Sequence, residues 1–177
     1  MQSTTYESYP ASTVLLSNAL SLGIYVIGAV ILAGLGAWAV VLYVAYCVWI
    51  EFRILTKGCV NCYYYGKSCG LGKGKLCALL FKRGDPAKFA NSVVSWRDLV
   101  PDFLVSLVPL AVAVVLLARD FSYTLAVLVI ALVGLTFPGN AVVRSCLLCK
   151  FCKQRELGCP AQKLFSGANR EPRGQST

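Results

Sequence analysis

The chain has 177 residues, of which 57% are hydrophobic and 14% charged, with a formal charge of +9, nine cysteines and no histidine. A soluble domain carries about 25% charged residues, so this balance points to a membrane protein. The missing histidine excludes Ser-His-Asp and Cys-His catalysis, histidine-ligated haem, and zinc proteases or fingers built on imidazole.

Residues 1–21 hold no Lys or Arg, and Glu7 is acidic. The apolar stretch that follows is far longer than the core of a signal peptide. The segment is therefore expected to be retained as an extracytoplasmic N-terminal piece, with Ser12–Ser21 as an interfacial lead-in. No charge occurs between Glu7 and Glu51. A bilayer core takes about 20 helical residues, and residues 22–50 are expected to form one long, tilted transmembrane helix. Two crossings are the alternative, with only Gly34 and Gly36 on offer for a turn. Ala29, Ala33 and Ala37, with Gly36, make a small-residue face suited to packing against other helices or a second subunit.

Residues 51–98 are too long for a simple connector and carry nine Lys/Arg against three acids. Cys59–Gly74, rich in Gly, Cys and Tyr, predicts turns, and Lys75–Phe81 a short helix. Asp85-Pro86 is a helix start, with Asp as N-cap and Pro in the first turn. Phe89, Val93, Trp96 and Val100 then recur at helical spacing, so residues 86–98 are expected as an amphipathic helix at the interface. Residues 99–118 and 121–137 are two further crossings, separated by Arg119-Asp120. Read as one helix they would bury that ion pair in the middle of the bilayer, at a cost of several kcal/mol.

Pro138-Gly139-Asn140 ends or bends the third helix, and Ala141–Phe151 can resume it. Residues 138–165 form a cysteine-rich tail, and 166–177 are polar, breaker-rich and expected to be disordered. The tail after Phe137 carries seven Lys/Arg and two acids. The fold class is thus all-α and integral to a membrane, with three transmembrane helices and a cysteine-rich, mostly irregular cytoplasmic module. The positive-inside rule puts the two basic segments in the cytoplasm and the N terminus outside, in a plasma or other energy-transducing membrane. The basic segments would also meet anionic headgroups. Beyond four cysteines in each basic segment, no internal repeat is apparent.

The cysteines carry the functional reading. The loop runs Cys59-x2-Cys62-x6-Cys69-x7-Cys77 and the tail Cys146-x2-Cys149-x2-Cys152-x6-Cys159-Pro160. Cytoplasmic thiols are kept reduced, and grouped thiolates beside lysines suit zinc or an iron–sulfur cluster. Cys47 and Cys77 sit in apolar runs and read as small hydrophobes. The candidate ligands are Cys59, Cys62, Cys69, Cys146, Cys149, Cys152 and Cys159. In one arrangement Cys59/Cys62 pair with Cys146/Cys149 or Cys149/Cys152, while Cys69 and Cys159 complete a second site. Cys146 to Pro160 resembles the cluster run of bacterial ferredoxins, with a final spacer of six residues where that family has three. The resemblance implies an iron–sulfur cluster, whereas pairing of loop with tail favours structural zinc.

The glycine- and lysine-rich run Gly66–Lys75 reads as a turn supporting cysteine ligands, with phosphate or headgroup cradling as the alternative. Tyr63-Tyr64-Tyr65 is a membrane-interface anchor more readily than a nucleic-acid platform. No nucleophile–base pair is apparent, and no span holds the ionisable residue of an ion pathway. The expected role is an accessory or scaffold subunit with a metal-binding module and no catalysis of its own. The alternative is an iron–sulfur carrier in electron transport, working with a partner reductase or a quinone-like carrier.

Overall fold

The computed structural model describes residues 5–92 and 95–160. Its elements are α1 (Ala11–Ala33), α2 (Ala37–Lys57), α3 (Lys73–Leu80), α4 (Pro86–Asn91), α5 (Trp96–Arg119) and α6 (Tyr123–Gly134). The helical path of α6 continues through a wide π turn at Leu135–Gly139, α7 (Asn140–Val142) and a second π turn at Val143–Leu148. A short α8 (Lys153–Glu156) follows. The described residues form no strand; one isolated bridge pairs Tyr6 with Cys152.

Four helical stretches, rather than three, are long and apolar enough to cross a membrane: Ala11–Ala33, Ala37–Asn61, Arg97–Arg119 and Tyr123–Phe151. The expected single helix over 22–50 is instead a hairpin, and residues 11–21 belong to its first arm rather than to an interfacial lead-in. The reversal needs no polar turn. Gly36 adopts φ 114 and ψ 168, a region essentially closed to residues with a Cβ. The carbonyls of Ile31, Leu32 and Ala33 are taken by the amides of Gly34, Leu35 and Gly36 at 2.9–3.2 Å. Chain reversal and backbone satisfaction are thus achieved within three residues. The turn also divides the small-residue face, because Ala37 opens α2 and Ala33 closes α1. The close approach occurs elsewhere, at Gly28, where a Cβ would collide with the Tyr43 phenol.

The second hairpin breaks at Arg119-Asp120, between α5 and α6. Pro138 does not end the fourth crossing. A π turn surrounds it, and such widened turns accommodate a residue that cannot donate to the ladder. The expected amphipathic helix 86–98 is two pieces. The first, α4, is capped by Asp85, whose carboxylate accepts from the Ala87 amide at 2.9 Å. It ends at Ser92, and α5 starts after Ser95, whose amide donates to the Asp98 carboxylate at 3.1 Å. Val93 of the expected apolar face, and the tail 166–177, lie outside the described residues.

Ile24, Ile31, Tyr43, Ile50, Val105 and Leu132 anchor the core between the two hairpins. Large apolar side chains such as Leu22, Val26, Val41, Val48, Val127 and Ile130 face outward, as lipid contact requires. One end of the bundle carries the two turns, 34–36 and 120–122. The other end gathers residues 5–10, the loop after α2 and the tail. The expectation that the N-terminal segment and the cysteine segments lie at opposite ends is therefore corrected.

Candidate metal centre

At the end of α2 the Gly58 amide still caps Ile54 at 3.0 Å, and Cys59–Asn61 then tightens into a 3-10 turn. The backbone becomes extended at Cys62. The tail does the same: a 3-10 turn spans Cys149–Phe151, and Cys152 is extended. Each turn sets its two cysteines three residues apart, with the second amide returning to the first carbonyl, at 3.3 Å for Cys62 and 3.4 Å for Cys152. Cys69 is steadied from the start of α3, where the Gly74 amide donates to its sulfur at 3.3 Å. This gives the Gly/Lys run its role as a support for a cysteine. Within that run, Gly66 and Gly72 turn the chain at φ 76 and 73, angles that glycine tolerates best.

The two cysteine segments pack against one another. The Tyr63 amide donates to Gln154 Oε1 at 2.8 Å, and Cys62 Sγ lies 3.7 Å from the same oxygen. The Lys153 amide donates to the Tyr64 hydroxyl at 3.0 Å. Tyr64 and Gln154 are 3% and 5% exposed, so each of these half-buried bonds has one partner shielded from water. Gly70 approaches Leu148 and Tyr9 so closely that any Cβ there would collide with Leu148.

The N-terminal segment straps the junction. Tyr6 donates its amide to Phe151 O at 3.0 Å and accepts the Tyr64 hydroxyl at 2.6 Å. Tyr9 bonds both segments, through its amide to Ser68 O at 2.8 Å and through its hydroxyl to Leu148 O at 2.5 Å. The Glu7 carboxylate receives Lys153, the Tyr63 hydroxyl and, at 3.2 Å, Lys67. These donors hold its pKa down at about 2.

Burial raises the thiols of Cys62, to about 11, and of Cys152. At Cys62 the neighbouring thiols of Cys152, Cys69 and Cys159 add to the rise. Burial thus keeps these sulfurs protonated in a metal-free state; a bound cation would reverse that balance. Among the described residues no three Cys, Asp or Glu side chains converge closely enough to hold a metal ion in this arrangement. Cys146 is exposed, with Ser145 Oγ 3.5 Å from its sulfur. Cys77 is fully buried in α3, with Leu55 O 3.7 Å from its sulfur, and Cys47 is buried in the helical core.

Sequence reasoning missed Glu7, Tyr64 and Gln154, because each acts across more than fifty residues of chain. A parity argument could have found the strap: a fourth crossing puts residues 5–10 beside the cysteines. Compared with protein-family models, curated proteins and solved structures, the chain matches none.

Proposed function

We propose that this protein is a multi-pass membrane subunit whose polar end is a thiolate metal-binding module, with zinc as a structural ion. It would serve as an accessory or scaffold component of a larger assembly. One observation carries the reading: two cysteine-rich turns, 90 positions apart from Cys59 to Cys149, pack together through half-buried hydrogen bonds at one end of the bundle. Neither segment has the apolar mass to fold firmly alone, and a shared ion would supply folding free energy. The basic charge of both segments supports a cytoplasmic orientation and contact with anionic headgroups. With four crossings the N terminus lies on that same side.

The test is elemental analysis and visible spectroscopy of the full chain purified anaerobically in detergent. Colourless protein with stoichiometric zinc is expected. Iron with broad visible absorption would replace zinc by the iron–sulfur electron carrier. Absence of any metal would overturn both.

A further inference from the structure

Helix α3 has two faces of opposite character. Gly74 and Cys77 form its buried side. A Cβ at Gly74 would collide with the carbonyls of Tyr64 and Lys67, and the Cys77 sulfur lies 3.7 Å from Leu55 O. Leu76, Leu79 and Leu80, which their three- and four-residue spacing puts on one side, are exposed, Leu79 by 83%. A helix held by its small residues while its leucines face outward is inside out for a water-facing module.

Continuity, depth and charge identify what covers this ridge. Val48 and Phe52, four residues apart on the outward side of α2, are exposed where the bundle meets lipid. Phe52 meets Phe81 edge-on, with ring centroids 5.6 Å apart, and Phe81 directly follows Leu80. The leucine ridge thus extends the lipid-facing stripe of α2 without a polar break. Ala37 opens α2 beside the turn at the far end of the bundle. At 1.5 Å per residue Leu55 lies about 27 Å along from it, against a hydrocarbon thickness of about 30 Å. α3 touches α2 at Leu55, so it lies at the boundary between acyl chains and headgroups. Lys57, Lys75, Lys82 and Arg83 are exposed around the ridge. The ion pairs among the described residues use other cations, Arg53, Lys67, Lys73 and Lys153. An apolar ridge rimmed by cations is the pattern of a helix lying in the plane of an anionic leaflet.

We infer that α3 is an in-plane membrane helix. Leu76, Leu79 and Leu80 insert among the acyl chains of the leaflet on the cysteine side, and the four cations around them hold the phosphates of anionic phospholipids. The partner of this face is a lipid surface rather than a protein. The inference rests on the multi-pass membrane reading above and deepens it by naming the element that meets the headgroups. It also moves the interfacial helix from the expected 86–98 to 73–80. Lipid and cysteines are thereby linked, because the Gly74 amide, in the first turn of α3, donates to the Cys69 sulfur at 3.3 Å. The seat of α3 in the leaflet positions that end of the cysteine loop.

The experiment reconstitutes the full chain in vesicles of phosphatidylcholine and phosphatidylglycerol in equal amounts. One lipid or the other carries a photoactivatable group on its acyl chain, and peptide mass spectrometry locates the adducts. Adducts are expected on Leu76, Leu79 and Leu80 as well as on Val48 and Phe52. On α3 phosphatidylglycerol should lead by at least about fivefold, the worth of one cation near an anionic surface. Lys75→Gln combined with Lys82→Gln should bring the two lipids towards parity. Adducts at Val48 and Phe52 with none on α3 would overturn the inference, since a second copy or another protein would then cover the ridge. Equal labelling of α3 by both lipids in the unaltered chain would overturn the anionic partner. Loss of adducts at Val48 and Phe52 as well would overturn the membrane reading itself. The labelling is read on the unaltered chain, so it does not depend on any variant folding.

Discussion

Pro109 lies near the middle of α5 and is fully buried. With no amide hydrogen it leaves the carbonyl of Val105, four residues earlier, without its helical donor. In a bilayer core such an orphan costs several kcal/mol, because no water reaches it. The Tyr43 hydroxyl fills the gap, donating to Val105 O at 2.9 Å, and Gly28 opposite has no side chain to block the phenol. Tyr43→Phe should therefore destabilise the bundle by about 1–3 kcal/mol, seen as a lower Tm in detergent. The cause is separable from lost packing by a double-mutant cycle. In a Pro109→Ala background the amide of residue 109 returns to Val105, and the same Tyr43→Phe change should cost far less. Equal costs in both backgrounds would mean that Tyr43 acts through packing alone. None of this was legible in the sequence. Tyr43 and Pro109 are unremarkable apolar-run residues until the hairpin sets them side by side.

Among the elements, the N-terminal strap joins a buried tyrosine, Tyr9, to an exposed charge, Glu7. Glu7 is solvent-accessible, and its ligands come from both cysteine segments: Tyr63 and Lys67 from one, Lys153 from the other. Its pKa is depressed from the ordinary carboxylate value to about 2. A depressed carboxylate stabilises the fold above its unfolded pKa and loses that contribution as pH falls through its folded pKa. The strap should therefore hold at neutral pH and loosen as the medium is taken from about pH 4.5 towards 2. Glutamate-labelled NMR should place the Glu7 midpoint near the lower value. Glu7→Gln should speed exchange of the Tyr6 and Tyr9 amides at neutral pH, where the wild type protects them; unchanged exchange would mean that Tyr64 and Phe151 hold the strap without it. The elements differed in how far their sequence disclosed them. The second hairpin was legible because Arg119-Asp120 cannot sit inside a bilayer. The first was not, since glycine geometry and local backbone bonds reverse the chain there without any polar signal. The loop spacing Cys59-x2-Cys62-x6-Cys69 recurs in the tail as Cys149-x2-Cys152-x6-Cys159, a repeat hidden by its frame because Cys146 extends the tail's cysteine run by one.

At the scale of the whole molecule, charge and parity now constrain each other. Outside the two cysteine segments the only Lys or Arg is Arg119, and Asp120 adjoins it. The turn at 34–36 has no charge at all, so one end of the bundle is nearly neutral and the other strongly basic. Three crossings satisfied the positive-inside rule by sending the N terminus outward. Four satisfy it equally well, so charge alone could not choose between them. The strap does choose, because residues 6–9 bond directly to both cysteine segments and cannot do so through a membrane. Epitope tags placed ahead of Thr5 and after Pro160 should therefore be digested together, in inverted vesicles and not in right-side-out ones. A tag inserted at Ser122 should show the opposite protection. Digestion of the two end tags from opposite sides would restore three crossings and dissolve the strap. It would also remove Tyr6 from Tyr64 and Tyr9 from Leu148, and with them the support that the N-terminal segment lends the paired cysteine turns.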